Sequence, residues 1–422
     1  MVGSSDPGIC RMMTPSTDRI LDTEVLALLE AEERRQASTL TLIASENHSS
    51  PAVRAAMASV LTDKYAEGYA GRRYYGGCEV ADDVERLAIA RAKALFGAEA
   101  ANVQPHSGTQ ANLHAYLAVL EGGDAILGMA LASGGHLSHG FERSHSGLLF
   151  KARSYGLDPE TGRIDYDAVL RIAKEQRPKL LIAGGSSYPR LIDWQRFRAI
   201  ADEVGAYLLA DIAHPAGLVA GKAIPSPVGI ADLVTMTTHK TLRGPRGGMI
   251  LAKKDLAKKV NSSVFPGGQG GPFMHSIAAK AVAFGEALSE DYQAYIRRVI
   301  ENARVLGEAL VERGLALVTG GTDTHLVLVD LRPKGLSGAE AEARCLDVGL
   351  VVNKNLIPND PRPAMETSGL RLGTPAVTTR GMGTAEMLEL ADILDRLFSH
   401  GDERVSARER IASLAAGFPL PS

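Results

Sequence analysis

Hydrophobic positions along the chain fall into two periods, and the changes from one to the other mark its elements. Asp22 through Glu33 carries Leu26, Leu28 and Leu29 as an apolar stripe among acidic residues. That pattern predicts a helical arm packed on another body, a partner subunit being one candidate. Lys179–Ala183 (KLLIA) is a short apolar run ending at Gly184-Gly185-Ser186, the mark of a buried strand. Asp193 stands where a helix cap belongs, ahead of Trp194, Phe197, Ile200, Ala201 and Val204 at helical spacing, and Gly205 ends that helix. Ala206–Ala210 (AYLLA) is the next strand, ending at Asp211. Leu233–Met236 is another, ending just before Thr237-Thr238-His239-Lys240.

Apolar strands separated by single helices predict right-handed crossovers and a mainly parallel sheet, with ligands beyond the carboxyl ends of its strands. Ser186, Asp211 and Lys240 all fall at that edge. After Pro272 the pattern turns helical through Met274–Ala309. A strand (Leu326–Leu331), a helix (Ser337–Val348), a second strand (Leu350–Val352) and a last helix from about Thr384 to Leu397 follow. The division expected is an N-terminal arm over 21–50, a large α/β domain over 51–292 and a smaller C-terminal α/β domain over 293–422. Residues 1–20 read as a disordered tail or expression remnant.

Size and charge narrow the function. A chain of 422 residues exceeds what one core usually organises. Its 45% hydrophobic and 23% charged residues are those of an ordinary globular protein. A net charge of −3 gives no basic footprint, so nucleic acid and anionic membranes are not expected partners. No apolar run reaches the roughly 18 residues of a spanning helix. Cys10, Cys78 and Cys345 are far apart and odd in number, which argues against disulfides and metal, and for a reducing compartment. The N-terminus lacks the layout of a secretory signal, so a cytoplasmic protein is expected.

Several segments carry candidate chemistry. Ser107-Gly108-Thr109 opens a helix (QANLHAYLAVL), and its free N–H groups suit a phosphate, although such a start also serves as a plain cap. Asp211 is open to three readings: a loop cap, a metal ligand, or a carboxylate that keeps a pyridine nitrogen protonated. His214 lies three residues on. Lys240 follows a buried strand, where desolvation makes an amine nucleophilic; the plain alternative is a surface lysine. Gly267-Gly268-Gln269-Gly270-Gly271-Pro272 is either an anion-binding loop or a flexible connector. Arg371 suits a substrate carboxylate or a surface salt bridge. Tyr65, Glu67, Tyr69, Tyr74 and Tyr75 crowd together in a chain with 5% aromatic residues. Glu67 is there either as a general acid–base group or among tyrosines that staple a loop.

The stretches LIASEN (42–47), KYAEGYAGRRYYGGCE (64–79), NVQPHSGTQAN (102–112), GGHLSHG (134–140), DIAHPAGLVA (211–220), TTHKTLRGPRGG (237–248), FPGGQGGP (265–272), VNKNLIPND (352–360) and TSGLRLGTP (367–375) stand in this order. Together they resemble the serine hydroxymethyltransferase family, over about Leu21 to Arg396. The resemblance implies a fold type I pyridoxal-phosphate-dependent transferase: an α/β large domain with a mainly parallel central sheet, a smaller C-terminal α/β domain, and a homodimer with shared active sites. It implies Lys240 as the Schiff-base lysine, Asp211 beside the pyridine nitrogen and His136 stacked on the ring. Ser107, Gly108 and Thr109 would hold the phosphate, with Gly270 and Gly271 from the neighbouring subunit. Ser186 and Thr237 would line the cofactor near its phenolic oxygen and the lysine. Ser45, His214 and Arg371 would take the amino-acid carboxylate. Tyr65, Glu67 and Tyr75 would enter from the partner chain, with Glu67 as proton shuttle. Leu131, Gly135 and Asn355 would meet tetrahydrofolate, the co-substrate. The implied activity is transfer of the serine hydroxymethyl group to tetrahydrofolate, a step of one-carbon metabolism that gives glycine and 5,10-methylenetetrahydrofolate.

Ala70, Pro215, Met236 and the charged stretch Phe141-Glu142-Arg143-Ser144-His145 depart from the family pattern, and the last bears on substrate choice. Two rival readings follow. One is a paralogue acting on α-methylserine or another β-hydroxy amino acid, as a transferase or an aldolase. The other is a binding or regulatory protein that lost catalysis, which the presence of Lys240, Asp211 and Arg371 opposes.

Overall fold

The computed structural model describes residues 22–399 and 403–421. The tail read over 1–20, with Cys10, lies outside them. The central sheet is built from β1 (Ala100–Asn102), β2 (Ala125–Met129), β3 (Lys151–Tyr155), β4 (Leu180–Ala183), β5 (Tyr207–Asp211), β6 (Leu233–Thr237) and β7 (Gly248–Ala252), in the order β1-β7-β6-β5-β4-β2-β3. Neighbours run parallel from β6 to β3, and β7 is antiparallel to both β6 and β1. Every residue of β4 and β6 is buried, because helices cover both faces. This is why β4 is an apolar run without alternation. The carboxyl ends of β4, β5 and β6 bring Gly184–Ser186, Asp211 and Thr237–Lys240 to one edge.

Local signals act as expected between these strands. The Asp193 carboxylate accepts from the Arg196 amide at 3.0 Å and starts the helix Trp194–Val204. Gly205, at φ 68°, ends it in the left-handed region that a side chain would strain.

A second sheet, β8 (Ala316–Leu317), β9 (Leu326–Asp330), β10 (Asn353–Asn355) and β11 (Gly369–Gly373), runs in the order β8-β9-β11-β10, all antiparallel. The helix Glu290–Glu312 joins two apolar cores: Tyr292, Ile296 and Val299 belong to the first, Ala303, Leu306 and Leu310 to the second. Leu40 and Leu42 also belong to the second core, and Leu40–Thr41 pairs in parallel with Leu350–Val351.

Two expectations need correction. The helical stretch expected over Met274–Ala309 is two helices, Met274–Ala287 and Glu290–Glu312. Ser289 breaks it by capping the second, accepting from the Tyr292 amide at 3.2 Å. The helix Thr384–Ser399 is not the last, since Arg404–Gly417 follows and buries Ala407, Ile411, Leu414 and Ala415 in the second core. The N-terminal helix Thr23–Ser38 has no buried residue and leaves Leu28 71% exposed. Among the described residues no helix is long and apolar enough to cross a membrane.

Candidate active site

A cavity of about 610 Å³ opens at the carboxyl edge of the central sheet and reaches the second sheet. Its floor is Asp211, the last residue of β5. Buried Asp211 accepts from Asn112 Nδ2 and His139 Nε2, each at 2.8 Å, on one oxygen, and from the Ala213 amide at 2.9 Å on the other. Burial pushes its carboxyl up, but the His139 hydrogen bond and the neighbouring imidazoles outweigh this and hold it well below the usual carboxylate range. The His136 amide donates to His139 Nδ1 at 3.3 Å, so His139 carries its proton on Nε2, facing Asp211. The second Asp211 oxygen keeps acceptor capacity for a further donor, such as a protonated ring nitrogen.

Lys240, three residues past β6, lines the same cavity. Burial lowers its amine to about 8, with Asp211 opposing and Arg371 and Arg246 assisting. A fraction of neutral amine is therefore present near neutral pH, as a nucleophile needs. Across the cavity, Ser107 caps the helix Gly108–Val119 by accepting from the Gln110 amide at 3.2 Å. Gly108 has to be glycine, because a Cβ would lie 2.6 Å from Thr237 Cγ2. The cup at this helix start suits a phosphate.

The second sheet supplies Arg371. Its Nη1 donates to the Ser186 carbonyl at 2.7 Å and its Nε to Asn353 Oδ1 at 3.2 Å. The planar fork is thus fixed with Nη2 left for a ligand. Burial lowers its pKa to about 10, which leaves it a cation at neutral pH. His214 is forced well below its ordinary pKa by burial, with the Lys240 charge assisting, and its ring stacks on His325 with Nδ1 to Nε2 at 3.3 Å. Burial lowers His136 to about 4, although Asp211 pulls the other way, so both rings enter the cavity neutral.

Of the residues picked out in the sequence, Ser45, Ser107, Gly108, Thr109, Leu131, Gly135, His136, Ser186, Asp211, His214, Thr237, Lys240, Asn355 and Arg371 line this one cavity. Tyr65, Glu67, Tyr75, Gly270 and Gly271 do not. They gather elsewhere: Tyr65 donates to Glu67 Oε1 at 3.2 Å, packs edge-on against Tyr75, and a Cβ at Gly271 would touch the Tyr65 ring. Tyr65 is 56% and Tyr75 50% exposed. The loop that carries them is stapled chiefly by Arg73, which pairs with Asp82 and Glu85 and donates to the carbonyls of Ala66 and Gly68. Of the tyrosines, Tyr69 joins the staple through the Asn261 carbonyl at 2.7 Å. Phe141 and Glu142 line a neighbouring cavity of about 570 Å³ that shares Leu131, His136 and His139 with the first.

Sequence reasoning missed Asn112, His139, His325 and Arg246. Asn112 lies one turn beyond Gly108, so it shares the face of the phosphate cup. His139 lies three residues after His136, across a single 3₁₀ turn.

Comparison with known proteins places the chain in one family. The family model described as serine hydroxymethyltransferase matches residues 19–394. A serine hydroxymethyltransferase of Acinetobacter baylyi is 56% identical over 404 residues, 94% of this chain and 97% of the relative. One from Alkalilimnicola ehrlichii is 56% identical over 94% of this chain and 96% of its own length. One from Acinetobacter baumannii is 54% identical over 94% and 97%. The shared cavity of Lys240, Asp211 and Arg371 and these full-length likenesses lead to one statement: the chain belongs to the serine hydroxymethyltransferase family.

Proposed function

We propose that this enzyme transfers the serine hydroxymethyl group reversibly to tetrahydrofolate, giving glycine and 5,10-methylenetetrahydrofolate, with pyridoxal phosphate as its cofactor. The observation that carries the reading is the placing of Lys240 and Asp211 in one cavity with the Ser107–Thr109 cup and the Arg371 fork. The donor set fits the cofactor: an amine for its aldehyde, a carboxylate with a spare acceptor for its ring nitrogen, a helix start for its phosphate. When bound, pyridoxal phosphate supplies an electron-accepting ring and a carbonyl that joins amines.

The chain's own groups do the positioning. Asp211 would hold the proton on the ring nitrogen, and His136 would cover the ring. Ser186 and Thr237, which line the cavity, would lie along the cofactor's edge. Arg371 binds the amino-acid carboxylate with Ser45 and neutral His214, which fixes the orientation of the bond to be broken. Leu131, Gly135 and Asn355 receive the folate. Glu67 moves the proton at the serine hydroxyl oxygen.

Glu67, Tyr65 and Tyr75 act in a partner's cavity, and Gly270 and Gly271 approach the partner's phosphate, so the working unit is a homodimer. The exposed cluster of these residues and the uncovered helix Thr23–Ser38 support that assembly. We assign 51–292 to a large domain and 293–422 to a small one; the two apolar cores support a division into two, with the helix Glu290–Glu312 contributing to both. The free, buried Cys78 and Cys345 fit a reducing cytoplasm.

The names of the relatives favour serine over α-methylserine. Product analysis with each amino acid, with and without tetrahydrofolate, tests this. Glycine formed from serine in a folate-dependent way is the expected result; turnover of α-methylserine alone would contradict it.

A further inference from the structure

We propose that Lys280, which lies outside the cavity, is the positioning residue that sets the shape of the phosphate cup at Ser107–Thr109. Lys280 is 1% exposed and comes from the helix Met274–Ala287. Its ammonium donates to the carbonyls of Val103 at 2.7 Å, Pro105 at 3.1 Å and Gly248 at 2.9 Å. Three acceptors match the three donors of an ammonium.

These carbonyls are not scattered. Val103 and Pro105 lie on the segment that leads from β1 into Ser107. Gly248 opens β7, which follows the Lys240 loop. The Gly248 amide also donates to the Pro105 carbonyl at 3.0 Å, and a Cβ on Gly248 would fall 2.2 Å from the Ser107 carbonyl oxygen. Gly247 is held as tightly, since a Cβ there would lie 2.6 Å from Lys280 Cε. One ammonium therefore ties the entry to the cup and the exit from the Lys240 loop into a single knot directly beneath Ser107 and Gly108. A buried positive charge at this place also adds to the field of the helix start. Burial opposes the charge, bringing the ammonium down to about 7, while Glu85 supports it.

This inference rests on the reading that the cup holds the phosphate of pyridoxal phosphate. Full-length protein freed of cofactor is titrated with pyridoxal phosphate and with pyridoxal, which lacks the phosphate, by visible absorbance. Lys280→Met is expected to weaken pyridoxal phosphate about tenfold or more, the effect of leaving a buried carbonyl without its donor. Pyridoxal binding should stay as in wild type, and Lys280→Arg should recover part of the loss. Equal pyridoxal phosphate affinity in Lys280→Met and wild type would overturn the proposal. So would a parallel loss for both ligands, which marks general loosening. Wild-type protein that takes up neither ligand would overturn the cofactor reading itself, and this inference with it. Where Lys280→Met does not fold, Lys280→Gln, which keeps two donors, carries the same comparison.

Discussion

Arg371 and Asp211 show how neighbours prepare a single group for its task. Ser186 and Asn353 fix the Arg371 fork before any ligand arrives. Arg371→Ala should therefore cost about 2 kcal/mol or more of amino-acid affinity, roughly thirtyfold. Calorimetric titration with serine checks this, and unchanged affinity would contradict the assignment. Asp211 and Lys240 were legible as candidates in the sequence because one ends an apolar strand and the other stands just beyond a buried one. His139 and Asn112 act by gripping Asp211, and nothing in the periodicity of the chain shows which side chains meet across a sheet edge. Glu67 was open between catalysis and stapling. Arg73, buried between Asp82 and Glu85, performs most of the stapling, while the Glu67 carboxylate accepts from Tyr65 at 3.2 Å.

Elements whose start and stop signals are local came out of the sequence almost unchanged. The helix after Asp193 is the clearest case, with its cap at one end and Gly205 at the other. Asp193→Ala should lower stability by about 1 kcal/mol, the usual effect of a lost cap. The midpoint of urea unfolding measures it, and a midpoint equal to wild type would count against the cap. A cap that falls inside a continuing apolar period was harder to see. Ser289 divides a stretch whose apolar period continues on both sides. The helix Arg404–Gly417 carries Ala407, Ile411, Leu414 and Ala415 at helical spacing, a signal already present in the sequence. The exposed stripe of Thr23–Ser38 marks the opposite case, an apolar pattern that its own chain leaves uncovered.

At the scale of the whole molecule, burial of histidines sets the acid limit of stability. Desolvation lowers His48, His136 and His145 to about 4, and His239 and His325 to about 3. Unfolded histidines titrate near 6.5, so between 6.5 and 4 the unfolded chain binds protons that the native state refuses. Stability therefore falls as pH drops through that window, and thermal midpoints measured across it should fall too; a flat profile would contradict the burial argument. Assembly is testable as well. Lys240→Ala and Glu67→Gln subunits mixed at equal amounts should regain about one quarter of wild-type activity, from the one intact site in each mixed dimer. No recovery in demonstrated mixed dimers would place each site within one chain. Among the described residues two lysines of lowered pKa are buried, Lys240 and Lys280, and the proposed cofactor site requires that Lys240 be the amine that takes it. Borohydride reduction of the coloured enzyme followed by peptide mass mapping decides between them. The account predicts the pyridoxyl mass on the peptide that contains Lys240; its appearance at Lys280, or on no lysine, would contradict it.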